Sequence, residues 1–145
     1  MRGVASIILL TSISAGCQTM ERHEADNLGT PAVSGLAAGV IAGDLASRLA
    51  ETAPTKSAPA IRIRKDDTEF ATALEAALKG WGYKTVIDNS SNPRPEPIEL
   101  SYSLYSFEDQ VLARLATPTI ALGRSYTVSA VGASPSSPLS VMQAE

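Results

Sequence analysis

The chain is poor in the residues that carry most catalytic and metal chemistry. It has one cysteine, Cys17, and one histidine, His23, and aromatic residues make up only 5% of its 145 positions. A single cysteine excludes an intramolecular disulfide, so the fold must be held by its core. With no second histidine or spare cysteine to join it, His23 cannot complete a zinc site. It also lies in a polar stretch outside any periodic segment, so the plentiful serines have no credible histidine for a Ser-His-acid triad. No Gly-rich loop ending in Lys-Ser or Lys-Thr occurs, which removes the phosphate cradle of nucleotide hydrolases. Charged residues are 19% of the chain and the formal net charge is -3. The basic clusters that displace counterions from nucleic acid are absent, so no direct nucleic-acid binding is expected. The acidic pairs Asp66/Asp67 and Glu108/Asp109 fall where a helix cap and a turn want them. These absences predict a protein that is not an enzyme and that uses no cofactor or metal.

What is present begins at the N-terminus. Arg2 precedes an apolar run from Val4 to Ile13, and the small residues Ser14, Ala15 and Gly16 lead directly to Cys17. A positive start, an apolar stretch of about 7 to 15 residues and a small-residue close form the pattern of a secretory signal peptide; a spanning helix needs about 20 apolar residues. The segment resembles the lipobox of bacterial lipoproteins, although Ser14 stands where that box usually has leucine. The resemblance implies cleavage between Gly16 and Cys17, with the Cys17 thiol carrying diacylglyceryl and acyl chains such as palmitate. Each buried methylene of such chains contributes about 0.8 kcal/mol, and two or three chains anchor stably where one does not. Gln18 after the cysteine, in place of the aspartate that retains lipoproteins at the inner membrane in that pattern, implies an outer-membrane address.

The rest of the chain divides by composition. Residues 1–16 read as signal peptide and 17–32 as a polar tether. Residues 33–52 form a Gly/Ala-rich helix in which Val33, Leu36, Ala37, Val40, Ile41, Leu45 and Leu49 recur at three- and four-residue steps. Asp44 and Arg48 pair in the favourable acid-first order on the other side. Gly35, Gly39 and Gly43 repeat every fourth residue, which predicts a helix edge that packs tightly on the domain or on a neighbour. The apolar part before Asp44 is too short to cross a membrane. Pro54 and Pro59 mark a linker over 53–60.

A small α/β domain is expected over 61–131. Ile61 and Ile63 alternate with arginines, a strand with one buried face. Asp66 or Asp67 is placed to cap the next helix, whose stripe is Phe70, Ala73, Leu74, Ala77, Leu78 and Trp81. The Gly80-Trp81-Gly82 ending offers a left-handed cap, and Trp81 is expected to pack in the core or at a hinge. A strand over Tyr83 to Asp88 closes a strand-helix-strand unit. Three further strands follow a Pro/Asn-rich loop: Ile98 to Phe107, Val111 to Leu115 and Thr119 to Ala130. After Gly132 the serines and prolines rise, so 132–145 is expected to be a flexible tail or one ordered by a partner. The fold class is therefore α+β, with one main helix on a mixed, mostly antiparallel sheet, in the order helix, strand, helix, strand, strand, strand, strand.

Taken together, the lipobox, the helix ending Asp44-Leu45-Ala46-Ser47-Arg48-Leu49-Ala50, the Gly80-Trp81-Gly82-Tyr83 turn and the closing strand through Arg124-Ser125-Tyr126 resemble TrbH, a lipoprotein family encoded among the mating-pair formation genes of conjugative plasmids. The resemblance implies a non-enzymatic outer-membrane lipoprotein, lipid-anchored on the periplasmic side. Its partners would be subunits of a type IV secretion core complex, in a homo- or hetero-oligomeric ring. A free-standing binding or accessory lipoprotein of the envelope remains the alternative.

Overall fold

The computed structural model describes residues 33, 35–53, 59–64, 66–87 and 95–144. Gly16, Cys17, the signal peptide and the tether lie outside the described residues. Two helices, α1 (Gly35–Thr52) and α2 (Glu69–Gly80), cover one face of a sheet built from β1 (Ile61–Ile63), β2 (Thr85–Ile87), β3 (Ile98–Phe107), β4 (Gln110–Ala116), β5 (Ile120–Ser129), β6 (Gly132–Pro135) and β7 (Ser140–Gln143). The order across the sheet is β2-β1-β3-β4-β5-β6, with β7 also on β5. This is the expected α+β class, with two strands more than the sequence pattern shows.

Local chemistry explains α2. Thr68 is its N-cap, and its hydroxyl accepts from the Ala71 amide at 3.1 Å. The expected cap, Asp66, acts one step earlier: its carboxylate accepts from the Thr68 amide at 3.2 Å. At the other end Gly82 takes φ 89°, while the Gly82 amide donates to Lys79 and the Tyr83 amide to Leu78. That pair of bonds satisfies carbonyls the helix would otherwise orphan, and only glycine takes the left-handed turn without strain. Phe70, Ala71, Leu74 and Leu78 face inward. Trp81, expected in the core or at a hinge, is 49% exposed at the C-cap of α2, after the last helical turn.

β1, α2 and β2 make a crossover unit, with β1 parallel to both β2 and β3. From β3 onward every pairing is antiparallel. The period-2 pattern predicts the faces correctly: Val111, Ala113 and Leu115 are buried under the helices, and Leu112 and Arg114 point away. Phe70 packs on Tyr102 of β3 with ring centroids 5.1 Å apart.

Two expectations are corrected. Residues 132–145 carry β6 and β7, which run along the free edge of β5 one after the other. Backbone pairing to an existing edge needs no apolar alternation, and β7 is exposed throughout, so its residues carry no burial signal. Serines supply the remaining ties: the Ser125 amide donates to the Ser137 hydroxyl at 2.9 Å, and the Ser136 hydroxyl donates to Gln110 at 2.8 Å. The second correction concerns α1, which is a full member of the core and not an appendage before a separate domain. Ile41, Ala42, Leu45 and Ala46 are fully buried, in one cluster with Leu74, Leu115 and Tyr126. The alanines let α1 lie close to both α2 and the sheet, and this turns Leu36 and Val40, expected inside, out to solvent.

Candidate functional site

The most elaborate polar arrangement lies where α1 crosses β5. Arg124 and Tyr126 sit two apart on β5, so both side chains leave the same face of the sheet, toward the helices. Asp44 projects from the middle of α1 to meet them. The Tyr126 hydroxyl donates to Asp44 Oδ2 at 2.8 Å and Arg124 Nη1 donates to the same oxygen at 3.0 Å. Arg48, one turn on, places Nε 3.6 Å from Asp44 Oδ1. The remaining reach of Arg124 goes to the C-terminal edge, where Nε donates to the Ser137 carbonyl at 3.0 Å. One carboxylate therefore joins α1 to β5 and, through Arg124, to the segment between β6 and β7.

Electrostatics follow from burial. Tyr126 is fully buried, and desolvation together with the adjacent Asp44 carboxylate drives its phenol well above the ordinary value, so it stays a hydrogen-bond donor at any physiological pH. A second, smaller arrangement lies at the start of α2. Burial, with the Asp66 carboxylate beside it, pushes the Tyr102 phenol up to about 12. Partial burial opposes ionisation of Asp66, but hydrogen bonds from Thr68 hold its carboxyl below the usual carboxylate range. Both phenols thus stay protonated, Tyr126 as a donor to Asp44, and neither arrangement presents an open acid-base pair. Among the described residues no group of three or more His, Cys, Asp or Glu side chains could hold a metal ion. No helix among them is long and apolar enough to cross a membrane.

The glycine edge of α1 is expected to pack on the domain or on a neighbour, and the domain is not its partner: a Cβ added at Gly35, Gly39 or Gly43 would meet nothing within 4 Å. It faces outward with Leu36 and Val40. Sequence reasoning also missed the partners of Asp44, which reads as one half of a surface pair with Arg48. The available signal was Arg124: on the alternation of β5 it shares a face with Leu122 and Tyr126, and a charge on an inward position calls for a buried counter-charge.

The other surface of note is the sheet face the helices leave bare. Tyr105, Leu112 and Met142 are exposed there, beside Arg114.

The model of the family "Conjugal transfer protein TrbH" matches residues 19–145. A relative from Sinorhizobium fredii (strain NBRC 101917 / NGR234), named "Probable conjugal transfer protein TrbH", is 48% identical over 146 residues, covering 99% of each chain. No solved structure matches the chain. Asp44, Arg48, Arg124 and Tyr126, which meet in the fold, come from two of the segments that carry the sequence resemblance, and the match spans every described element; the chain belongs to the TrbH family of conjugal transfer proteins.

Proposed function

We propose that this protein is a non-catalytic, lipid-anchored subunit of a conjugative mating-pair formation complex, held at the outer membrane through Cys17 and facing the periplasm. The observation that carries the reading is family membership over nearly the whole chain, because conjugal transfer is what the family and the Sinorhizobium relative are named for. The anchor is supported by the Ser14-Ala15-Gly16-Cys17 sequence after an apolar run, and the address by Gln18. A structural role accords with a polar site that ties elements of the fold together and offers no reactive group to a bound molecule. The assembly reading is supported by surfaces a monomer leaves open: the bare sheet face and the smooth glycine edge of α1.

The test uses the plasmid that encodes the chain. Deletion is expected to abolish transfer, and wild-type protein supplied in trans to restore it. Cys17→Ser is expected to accumulate as an uncleaved precursor that takes up no labelled palmitate and fails to restore transfer; normal processing of this variant overturns the lipoprotein reading. Detergent extracts should yield the protein with other transfer subunits at fixed stoichiometry. A monodisperse monomer without partners would instead make it a free-standing envelope protein.

A further inference from the structure

The three most exposed large apolar side chains among the described residues are Val131 (85%), Phe107 (75%) and Leu36 (68%). They belong to three different elements, yet the topology brings them to one end of the molecule. Phe107 closes β3 at the tight turn into β4, Val131 is in the turn from β5 to β6, and antiparallel pairing puts both turns at the same end of the sheet. The N-terminus of α1 joins them: Val33, Gly35 and Leu36 share a shallow cavity with Ser106, Glu108, Ser129 and Ala130. Val40 extends the surface one turn along α1, close to Gly132. The glycines at 35, 39 and 43 leave this side of the helix low and uncharged up to Asp44. Isolated exposed apolar residues are ordinary, but a concentration from separate elements is not.

Where the chain enters decides what covers this end. The polypeptide arrives at Val33, in the middle of the patch, and only fifteen residues, 18–32, separate it from Cys17. On the reading that Cys17 carries lipid, the link to the bilayer enters the domain at this end, which favours this end as the one that meets the leaflet. We infer that the end formed by Leu36, Val40, Phe107 and Val131 is a membrane-docking surface that rests its apolar side chains in the headgroup and acyl boundary of the leaflet holding the lipid. Surfaces of this kind enter about 5 to 10 Å. Among the described residues, Glu108 and Asp109 of the β3–β4 turn lie at this end, with Glu69 accepting from the Gly35 amide, and these three are acidic. The surface therefore suits zwitterionic headgroups and is disfavoured by anionic ones, opposite to a basic amphipathic anchor.

The fold supplies an internal control. α2 runs alongside α1 in the same direction: Glu69 lies at Gly35, and the Tyr83 hydroxyl donates to the Ala53 carbonyl at the other end. Trp81, the single tryptophan, is thus about 18 Å from the docking end along α2. The experiment uses full-length lipidated protein, with the Cys17 lipid verified by intact mass, in phosphatidylethanolamine/phosphatidylcholine vesicles doped with brominated lipid. Wild-type Trp81 is expected to remain unquenched. Val131→Trp and Leu36→Trp, each combined with Trp81→Phe, are expected to be quenched several-fold, less so as phosphatidylglycerol replaces the zwitterionic lipid. Both sites are exposed, so neither change disturbs the core. Lipidated protein in which the new tryptophans stay as dark to bromine as Trp81 overturns the inference, as does quenching that rises with anionic lipid. A mass without lipid overturns the anchor instead; the same chain coupled through its lone thiol to a maleimide lipid then tests the surface by itself.

Discussion

Helix α2 starts on a Thr68 cap, ends on a left-handed Gly82 and buries Phe70, Leu74 and Leu78. Helix α1 has no acidic residue in its first turn, no basic residue in its last, three glycines along one side and mainly alanines on its buried face. Yet α1 contributes as much to the core as α2, with Ile41, Leu45 and Leu49 at its centre. The difference lies in where the instructions come from. α2 is specified within a dozen residues, whereas α1 is held by β5, whose Tyr126 reaches Asp44 across 82 positions of sequence. Glycines at interior helix positions each cost up to about 1 kcal/mol against alanine, so α1 depends on tertiary contacts for its order.

The sharpest way to break this comparison is to truncate both helices at matched depth. Phe70→Ala in α2 is expected to cost about 3–5 kcal/mol and Leu45→Ala in α1 about 2–5 kcal/mol, read from urea unfolding of the purified domain. A loss below about 0.5 kcal/mol at Leu45 would mean that α1 is not part of the cooperative unit. Asp44→Ala comes next. It leaves Arg124 and Tyr126 without their acceptor in a site with about a fifth of its surface open, and is expected to cost about 2–4 kcal/mol. Asp44→Asn, which keeps an acceptor for the tyrosine but not the charge, should recover part of that loss.

The pH dependence isolates the tyrosine. Folding raises the Tyr126 phenol, so the native state holds its proton where the unfolded chain has lost it. Stability is then full below the unfolded value near pH 10 and falls as pH rises beyond it, by up to about 1.4 kcal/mol per pH unit for each such group. Tyr102, pushed up to about 12, adds to the same decline between about pH 10 and 12. Tyr126→Phe is expected to cost about 1.5–3 kcal/mol at neutral pH and to flatten the alkaline limb. An unchanged limb in that variant would assign the alkaline sensitivity to other groups.

What was legible in the sequence follows the same division between local and distant information. The alternation in β3, β4 and β5 shows which side chains face inward, because a strand with one covered face must repeat every second residue. The Gly80-Trp81-Gly82 ending reads as a cap for the same local reason. The strands β6 and β7 were hidden, since β6 is only four residues long and buries just its first, β7 is exposed on both faces and has no repeat, and the ties of this segment run from serines to β5 and Gln110. The Asp44 site was hidden because Arg48, four residues away, offers a sufficient local partner. Only the charge at Arg124, on the buried side of β5, points to the longer contact.

The smallest expected effect separates what the glycines do for the fold from what they do for the assembly. Gly82, at φ 89°, is required by its turn, and Gly82→Ala is expected to cost about 1 kcal/mol or more. Gly39 is helical and open, with nothing within 4 Å of an added methyl group, so Gly39→Ala is expected to stabilise the isolated domain by about 0.5–1 kcal/mol. The sign is what matters. If the glycine edge serves only the chain's own fold, no reason exists to keep a residue that weakens its helix, and the stabilised variant should support plasmid transfer at the wild-type frequency. If a neighbour or the membrane surface comes close to that edge, Gly39→Ala and Gly43→Ala will raise the unfolding midpoint and lower transfer together. A variant that is more stable and less functional locates the contact on α1, because no loss of folding can account for it.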